Sequence, residues 1–360
     1  MRKQKIGILI PDLLGGGAQK VAINLAMGLA RERQNSVSLI LLTNRGALSI
    51  PQNSNVEVIH IGSNRALFSF WPLQKCLRKR GFDHIISHMT YVNILAILAS
   101  FMTIMSPNLT IVEHSWPSNE YKKHNGLMGK LFMWLIKLVY PFANSVVGVS
   151  DVVKEDLRRN MLWNKSKVKR IYSPLLEKAL NEPLLEDRKA VMPFPFILGV
   201  GRLEKIKNFS LLIEAFSKLD GKYHLVIAGE GSQEGELKAL CERLGLSSRV
   251  HFIGFLADLT EYYQGAELLV VTSISESLSN VIVEALSNCC RVVTVKAGGT
   301  EELVDSNDLG TVVGYGAGEV SRAIEENIGV EGRRDAFKEK LDDFTILGAT
   351  EKYASEIRPI

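Results

Sequence analysis

Short apolar runs rich in β-branched residues alternate, along the first half of the chain, with longer stretches of helical spacing. The segments predicted as strands or helices in this half are 5–10, 18–33, 37–42, 84–87, 92–105, 108–112 and 145–149. Near-continuous apolar strands separated by helices are typical of a parallel sheet covered on both faces. The pattern therefore predicts a doubly wound α/β unit.

A proline-rich, charged segment at 174–195 interrupts this alternation and predicts a linker between two domains. The alternation then resumes with segments at 196–200, 209–219, 223–228, 234–244, 250–252, 267–272, 279–287 and 291–295. We therefore expect a second doubly wound unit. The predicted domains are 1–173 and 196–340, and 341–360 is predicted to be a C-terminal helix that packs back on the first domain.

The composition is that of an ordinary globular protein, with 360 residues of which 46% are hydrophobic and 23% charged. The four cysteines form no CxxC pair, so neither a disulfide framework nor a structural metal site is expected. Two apolar stretches, 92–105 and 127–139, are shorter than the roughly 20 residues of a spanning helix. The opening apolar run is too short for a signal peptide, and we expect a cytoplasmic protein.

Charge is distributed unevenly between the two halves of the chain. Residues 1–180 carry 24 Lys and Arg against 10 Asp and Glu, a net charge of +14, whereas residues 181–360 carry 19 against 29, a net −10. A basic half next to an acidic one favours an anionic partner for the first, such as a membrane surface or a phosphorylated acceptor. Nucleic acid is not expected as a partner.

The segment 122–137 mixes bulky apolar residues with lysines, which is the pattern of a helix lying in a membrane interface. A core helix with lysines reaching to solvent would have the same pattern, so both remain open. A basic cluster at Lys75, Arg78, Lys79 and Arg80 favours peripheral attachment to an anionic leaflet. We expect attachment at the inner face of the cytoplasmic membrane.

Two loops that follow predicted strands contain candidate phosphate-binding groups. Gly16 and Gly17 lie between the first strand and the first helix, where glycines allow a ligand to approach backbone N–H groups; a purely structural turn is the alternative. Arg202 and Lys207 follow the first strand of the second half and could converge on a diphosphate. A solvated basic loop would look similar.

The segment 275–284 carries the strongest chemical signal. Glu276 follows an apolar strand, and Glu284 lies about one turn inside the next helix. Ser279 and Asn280 stand at the predicted start of that helix, where free N–H groups suit a phosphate. The two carboxylates could accept hydrogen bonds from sugar hydroxyls on either side.

The order of these motifs resembles glycosyltransferase family 4 over nearly the whole chain. The first half contributes Gly15-Gly16-Gly17-Ala18 and Glu113-His114-Ser115. The second half contributes Gly201-Arg202 with Lys207-Asn208, Ala228-Gly229-Glu230-Gly231, Phe252-Ile253-Gly254-Phe255, Glu276 with Glu284, and Gly298-Gly299-Thr300-Glu301-Glu302.

The resemblance implies the GT-B fold, in which two Rossmann-like domains face each other across a cleft and the second binds a nucleotide sugar. Arg202 and Lys207 match the pair that holds the donor diphosphate, Glu276 the carboxylate at the transferred sugar, and Glu284 the one at the ribose. His114 matches a histidine that reaches the sugar and phosphate. Backbone groups near Gly254 and Phe255 would contact the base.

The implied reaction is transfer of a hexose or N-acetylhexosamine with retention of configuration, without a required metal or further cofactor. A UDP-sugar is the first expectation and GDP-mannose the second, with a glycan or polyprenyl-diphosphate-linked acceptor used in polysaccharide biosynthesis. The alternatives are a GT-B epimerase or phosphorylase, and a non-catalytic binding subunit of the same fold.

Overall fold

The computed structural model describes residues 2–14, 16–46, 48, 50–51, 54–62, 66–103, 106–123, 126–181 and 191–357. The chain divides into two compact units. The first consists of Met1–Glu177 together with Asp343–Ile360, and the second of Lys178–Asp342. Of the predicted linker 174–195, residues 182–190 lie outside the described residues. Its first four residues belong to the first unit and the remaining described ones to the second.

The first unit is built on a seven-stranded, entirely parallel sheet in the order β3-β2-β1-β4-β5-β6-β7. Its strands are β1 Gln4–Ile10, β2 Asn35–Leu41, β3 Val56–His60, β4 His84–His88, β5 Asn108–Glu113, β6 Ser145–Gly148 and β7 Val168–Arg170. Its helices are α1 Gly17–Ala30, α2 Phe70–Arg80, α3 Thr90–Phe101, α4 Pro117–Lys123, α5 Leu127–Val139, α6 Asp151–Asn160 and, from the end of the chain, α13 Ile346–Ile357.

Helix α13 packs against α1 in the first unit. A Cβ at Gly28 of α1 would collide with Thr350 and approach Ile346, so the glycine allows the two helices to lie close together. Near the end of α13, Glu356 accepts hydrogen bonds from Ser145 Oγ (2.9 Å) and Lys169 Nζ (2.7 Å). The chain therefore returns to its first unit at its C-terminal end.

The second unit contains a six-stranded parallel sheet in the order β10-β9-β8-β11-β12-β13. Its strands are β8 Phe196–Val200, β9 His224–Ala228, β10 Val250–Gly254, β11 Leu268–Val271, β12 Val292–Val295 and β13 Gly310–Val313. Its helices are α7 Phe209–Phe216, α8 Glu234–Arg243, α9 Thr260–Gly265, α10 Asn280–Ser287, α11 Ala317–Asn327 and α12 Arg334–Leu341.

Each sheet reverses its strand order once, between β1 and β4 in the first unit and between β8 and β11 in the second. Ligands of doubly wound sheets bind outside the carboxyl ends of the strands at such a reversal. The residues that follow β1 and β4 in the first unit, and β8 and β11 in the second, are therefore candidates for ligand contacts. Among the described residues, no helix is long and apolar enough to cross a membrane.

Candidate active site

The loop after β8 contains the two predicted diphosphate ligands, Arg202 and Lys207. Lys207 ends a short 3-10 turn, and its Nζ donates to Glu276 Oε1 at 2.6 Å. Arg202 is exposed, and its guanidinium makes no hydrogen bond or ion pair with any other described residue. Lys207 is thus paired with the predicted sugar-binding carboxylate, whereas the Arg202 guanidinium is available to an anion.

Glu276 is held by the backbone of the glycine-containing loop that follows β12. Its N–H donates to Ala297 O (2.7 Å) and its C=O accepts from Gly299 N–H (2.9 Å). A Cβ on Gly299 would meet the backbone of Ser277, so only a glycine lets this loop approach so closely. The Glu276 side chain is 10% exposed and that of Lys207 23%, which leaves the ion pair largely shielded from water.

The glycines of the segment 228–231 allow two loops to lie close together. A Cβ on Gly229 would collide with Gly201 O, and one on Gly231 with the backbone of Leu203. Leu203 N–H also donates to Glu230 O at 2.9 Å. In the ligand-free protein these glycines therefore pack the loop after β9 against the loop that carries Arg202.

Helix α10 begins at Asn280, and Ser279 occupies the N-cap position without a capping hydrogen bond from its side chain. The Ser279 hydroxyl is buried and has no hydrogen-bond partner among the described residues. Such an unpaired buried group costs free energy unless a partner arrives. The geometry provides a hydroxyl and a helix N-terminus for an anionic group.

Glu284, on the first turns of α10, accepts a hydrogen bond from Tyr263 Oη at 3.0 Å. Tyr263 is 2% exposed, and burial together with the nearby Glu284 carboxylate raises its pKa well above the ordinary value, so it remains a donor. Sequence reasoning missed Tyr263, because a tyrosine in a short polar helix carries no motif. The hydrogen bond from Tyr263 orients the carboxylate of Glu284, the residue predicted to bind the ribose.

Of the two predicted base contacts, Gly254 is the last residue of β10 and Phe255 directly follows the strand. Gly254 has a positive φ of 72°, and its C=O accepts from Gly229 N–H at 2.7 Å. The Phe255 N–H faces Glu230 Oε1 at 3.4 Å, and its side chain is among the exposed large apolar ones. A base that bound here would find an exposed ring and would have to compete with Glu230 for the N–H group.

In the first unit, Gly16 occupies the N-cap position of α1 and Gly17 is the first residue of the helix. Gly15 lies outside the described residues. Asp12, at the end of β1, accepts hydrogen bonds from Leu14 N–H (3.2 Å) and Gln19 Nε2 (3.1 Å). The Gly16 N-cap provides no side-chain hydrogen bond to the start of α1. The first N–H groups of the helix, which have no partner within the helix, could therefore bind a ligand.

His114 directly follows β5, and its Nε2 lies 2.9 Å from Nδ1 of His88, the last residue of β4. Burial lowers the pKa of His114 to about 4. The neighbouring carboxyl, Glu113, is buried and accepts hydrogen bonds from Tyr140 Oη (2.8 Å), Thr90 Oγ1 (2.9 Å) and Ser115 Oγ (3.1 Å). Burial raises the pKa of Glu113 to about 7, although these hydrogen bonds oppose the shift.

Comparison with known proteins defines the class. A family model described as "Glycosyl transferases group 1" matches residues 184–342, and one described as "Glycosyltransferase Family 4" matches residues 15–175. The N-acetylgalactosamine-N,N'-diacetylbacillosaminyl-diphospho-undecaprenol 4-alpha-N-acetylgalactosaminyltransferase of Campylobacter jejuni is 32% identical over 322 residues, which are 86% of each chain. A C. jejuni alpha-1,4-N-acetyl-D-galactosaminyltransferase that acts on a diphospho-undecaprenol-linked glycan is 28% identical over 86% of this chain and 84% of its own.

Solved structures agree on the fold. The Anabaena protein Alr3699/HepE in complex with UDP-glucose superposes with a TM-score of 0.79 at 21% identity, covering 98% of this chain and 99% of that one. WaaG, a glycosyltransferase involved in lipopolysaccharide biosynthesis, gives a TM-score of 0.70 at 16% identity over 99% and 100% of the two chains. The protein is therefore a glycosyltransferase with two Rossmann-like domains of the GT-B type.

Within that class, the chain belongs to glycosyltransferase family 4. The predicted fold class and enzyme class are confirmed. A transferase is favoured over the epimerase, the phosphorylase and the non-catalytic subunit. The roles of the individual site residues remain predictions.

Proposed function

We propose that this protein transfers an N-acetylhexosamine or hexose from a UDP-sugar to a polyprenyl-diphosphate-linked glycan, with retention of configuration, at the cytoplasmic face of a membrane. The observation that carries the proposal is the preformed Lys207–Glu276 pair beside the uncapped start of α10. The similarity to enzymes of C. jejuni named for diphospho-undecaprenol substrates supports the acceptor class.

The donor diphosphate would bind between the exposed Arg202 guanidinium, the Lys207 ammonium and the Ser279 hydroxyl. Negative charge develops on the leaving nucleotide as the sugar departs, and preorganised cations stabilise that charge most in a shielded site. The Lys207 ammonium has three N–H donors, so it could contact phosphate while it keeps its hydrogen bond to Glu276 Oε1. The other oxygen of Glu276 could accept a hydrogen bond from a sugar hydroxyl.

We infer that Glu276 is not a covalent nucleophile. A carboxylate that is ion-paired to Lys207 at 2.6 Å is a weak nucleophile, because attack on the sugar would separate the pair in a shielded site. Retention would then follow from attack on the same face that the nucleotide leaves, with the leaving phosphate helping to deprotonate the acceptor hydroxyl. A glycosyl group trapped on Glu276 by a slow fluorinated donor and detected by mass spectrometry would contradict this mechanism.

The same cations allow transfer without a divalent metal. Arg202 and Lys207 together carry two positive charges, which match the two negative charges on the diphosphate of a nucleotide sugar. We expect the rate of transfer to be unchanged by an excess of EDTA. A loss of activity restored by Mg²⁺ or Mn²⁺ would contradict this part of the proposal.

A panel of nucleotide sugars tests the donor. UDP-N-acetylgalactosamine, UDP-N-acetylglucosamine, UDP-glucose and GDP-mannose would be scored for slow hydrolysis and for thermal stabilisation of the protein. We expect one UDP-sugar to do both, and we expect Glu276→Ala to abolish hydrolysis. The control is Glu325→Ala, which removes an exposed carboxylate from α11. If no donor stabilises the wild type, the proposed function is wrong.

The membrane surface would be contacted through α5 and its neighbours. Leu127, Leu131 and Trp134 lie along one face of α5 and are 84%, 44% and 57% exposed, while Lys130 and Lys137 lie along one edge of that face and are also exposed. An exposed apolar stripe bordered by lysines is the pattern of an interfacial helix rather than of a core helix. Residues 124 and 125 of the predicted segment lie outside the described residues.

An aromatic cluster extends this face beyond α5. Phe142 makes edge-to-face contacts with Phe101 (5.1 Å between centroids) and Trp163 (5.5 Å), and all three rings are at least 40% exposed. Trp71 of α2, which is 65% exposed, shares its helix with the exposed Lys75 and other cations. Aromatic rings at the headgroup level and cations facing anionic lipid would act together.

Sedimentation with vesicles tests this surface. Vesicles rich in anionic phosphatidylglycerol should bind the protein in low salt and release part of it in high salt. Trp134→Ser should weaken binding, whereas the control Leu244→Ser, which changes an exposed apolar residue of the second unit, should not. Equal binding of both variants would remove α5 from the proposal.

A further inference from the structure

Two histidines at the carboxyl edge of the first sheet form a pair that motif reasoning did not connect. The rings of His88 and His114 stack with their centroids 5.2 Å apart and their planes 24° apart, and His88 Nδ1 lies 2.9 Å from His114 Nε2. His88 ends β4, which runs parallel to β5, and His114 follows β5. The pair is therefore fixed by strand register.

The backbone next to His88 is strained and held on several sides. Met89 has φ 79° and ψ 138°, a conformation that a residue with a long side chain rarely adopts. Its N–H donates to Val112 O (3.2 Å), its C=O accepts from Asn93 N–H (2.8 Å), and Asn93 Nδ2 also donates to Val112 O (2.9 Å). Strain of this kind persists where the surroundings over-determine a conformation, commonly at functional sites.

Only one of the two rings can donate in their shared hydrogen bond when both are uncharged. Burial lowers the pKa of His114 to about 4, and burial together with the neighbouring His114 lowers that of His88 well below its usual range. Both rings are therefore neutral at pH 7, and each carries one proton. The direction of the hydrogen bond decides which nitrogen of His114 carries its proton.

The surroundings of His88 favour one direction. His88 is fully buried, and its Nε2 has no hydrogen-bond partner among the described residues. A proton on Nε2 would leave a buried N–H group unpaired, which is rarer in proteins than an unpaired acceptor. With its proton on Nδ1, His88 instead donates to His114 Nε2, and the proton of His114 must lie on its own Nδ1.

We propose that His88 is a positioning residue that holds His114 as the tautomer protonated on Nδ1, so that His114 offers a hydrogen-bond donor to an oxygen of the nucleotide sugar. His114 Nδ1 has no partner among the described residues, and His114 as a whole residue is half-buried. This inference rests on the proposed function, since it supplies the ligand of His114. It assigns to His114 the role of donor and excludes that of general base.

Nuclear magnetic resonance of the ligand-free protein tests the tautomer without any transfer reaction. Long-range correlation of ring protons with ring nitrogens in ¹⁵N-histidine-labelled protein distinguishes protonated from unprotonated nitrogens, and His114→Asn assigns the signals. We expect His114 to be protonated on Nδ1 and His88 on Nδ1. A protonated Nε2 on His114 would overturn the proposal.

Two substitutions test the consequence for catalysis. His88→Phe keeps a stacked ring without a donor, and His88→Asn places an amide N–H close to the position of Nδ1. We expect roughly tenfold lower kcat in His88→Phe, the size of one lost hydrogen bond, with KM nearly unchanged. His88→Asn should recover most of that loss.

Three results would overturn the role of His88: wild-type kcat in His88→Phe, equal losses in both variants at equal thermal stability, or a loss confined to KM. If His88→Phe does not fold, His88→Asn and the resonance experiment still decide the matter. If the wild type turns over no nucleotide sugar, the proposed function fails, while the tautomer measurement keeps its own outcome.

Discussion

The carboxyl edges of the two sheets differ in charge: one carries charged side chains and the other carries neutral ones. At the carboxyl edge of the second sheet, Lys207 and Glu276 are charged and paired, and an exposed Arg202 stands on the same loop. At the carboxyl edge of the first sheet, His88 and His114 are neutral, because burial has lowered the pKa of both.

The difference in charge indicates which kind of ligand group each edge is suited to bind. Fixed cations suit a diphosphate, whose negative charge rises during transfer. Neutral donors and acceptors suit hydroxyl groups, because they impose no charge that a buried site would have to neutralise. One sheet architecture thus supports charge stabilisation in one unit and hydrogen bonding without net charge in the other.

The largest expected effect tests the charged edge. Lys207→Ala should lower kcat by about 10²–10³-fold, because it removes a preorganised cation from the developing phosphate charge. Turnover of the nucleotide sugar measures the loss. Lys205→Ala, an exposed neighbour on the same turn, is the control and should remain close to wild type. A Lys207→Ala enzyme within threefold of wild type would place the cationic role elsewhere.

The free energy of unfolding should depend on pH through Glu113, which precedes His114 at the carboxyl edge of the first sheet. The folded-state pKa of Glu113 is raised to about 7. Between about pH 4.5 and 7, Glu113 is therefore protonated to a larger extent in the folded protein than in the unfolded chain. The contribution of Glu113 to the free energy of unfolding therefore falls as pH rises through this window. The total decline should be about 3 kcal/mol.

Glu113→Gln should remove that decline, so that urea denaturation gives a wild-type minus variant difference that falls from pH 4.5 to 7. Glu325→Gln, which changes an exposed carboxyl of α11, is the control. A difference that does not change with pH would mean that Glu113 is ionised in the folded protein throughout this range.

A smaller effect should separate the two cations of the charged edge. Lys207→Ala leaves the buried Glu276 carboxylate without its partner and should lower the free energy of unfolding by about 2 kcal/mol. Arg202→Ala removes an exposed, unpaired side chain and should change it by less than about 0.5 kcal/mol. Adding Glu276→Gln to Lys207→Ala should restore part of the loss. Equal destabilisation by the two single substitutions would contradict this asymmetry.

The smallest effect concerns Ser279, and its sign differs between free and bound protein. Ser279→Ala removes a buried hydroxyl that has no partner in the described part of the chain, so the free protein should be as stable as wild type or slightly more stable. Binding of UDP should weaken about tenfold if the hydroxyl contacts the diphosphate. Ser277→Ala is the matched control. Unchanged UDP affinity in Ser279→Ala, measured by calorimetry, would remove Ser279 from the donor site.

The alternation of strands and helices, and the loops that contain the candidate site residues, can be predicted from the sequence alone. Apolar runs such as β1, β4 and β5 are buried on both faces, so their hydrophobicity alone predicts parallel strands. Because carboxyl ends of parallel strands share one edge, Glu276 and Lys207 could be predicted for the same region.

The short peripheral strands β3, β7 and β13 were not predicted. Their burial is mixed, with exposed or half-buried residues in each, so they lack the continuous apolar signal of the central strands. Edge strands gain their structure from the neighbour they pair with, and that neighbour is distant in the sequence.

Which side chains come into contact depends on the tertiary structure. Lys207 binds Glu276 across 69 residues of sequence, and His88 meets His114 across 26, because strand order and register bring their loops together. It also decided which groups lose water, and therefore that the histidines are neutral while Glu276 remains paired. Partners and burial are properties of packing, and no local pattern of residues encodes them.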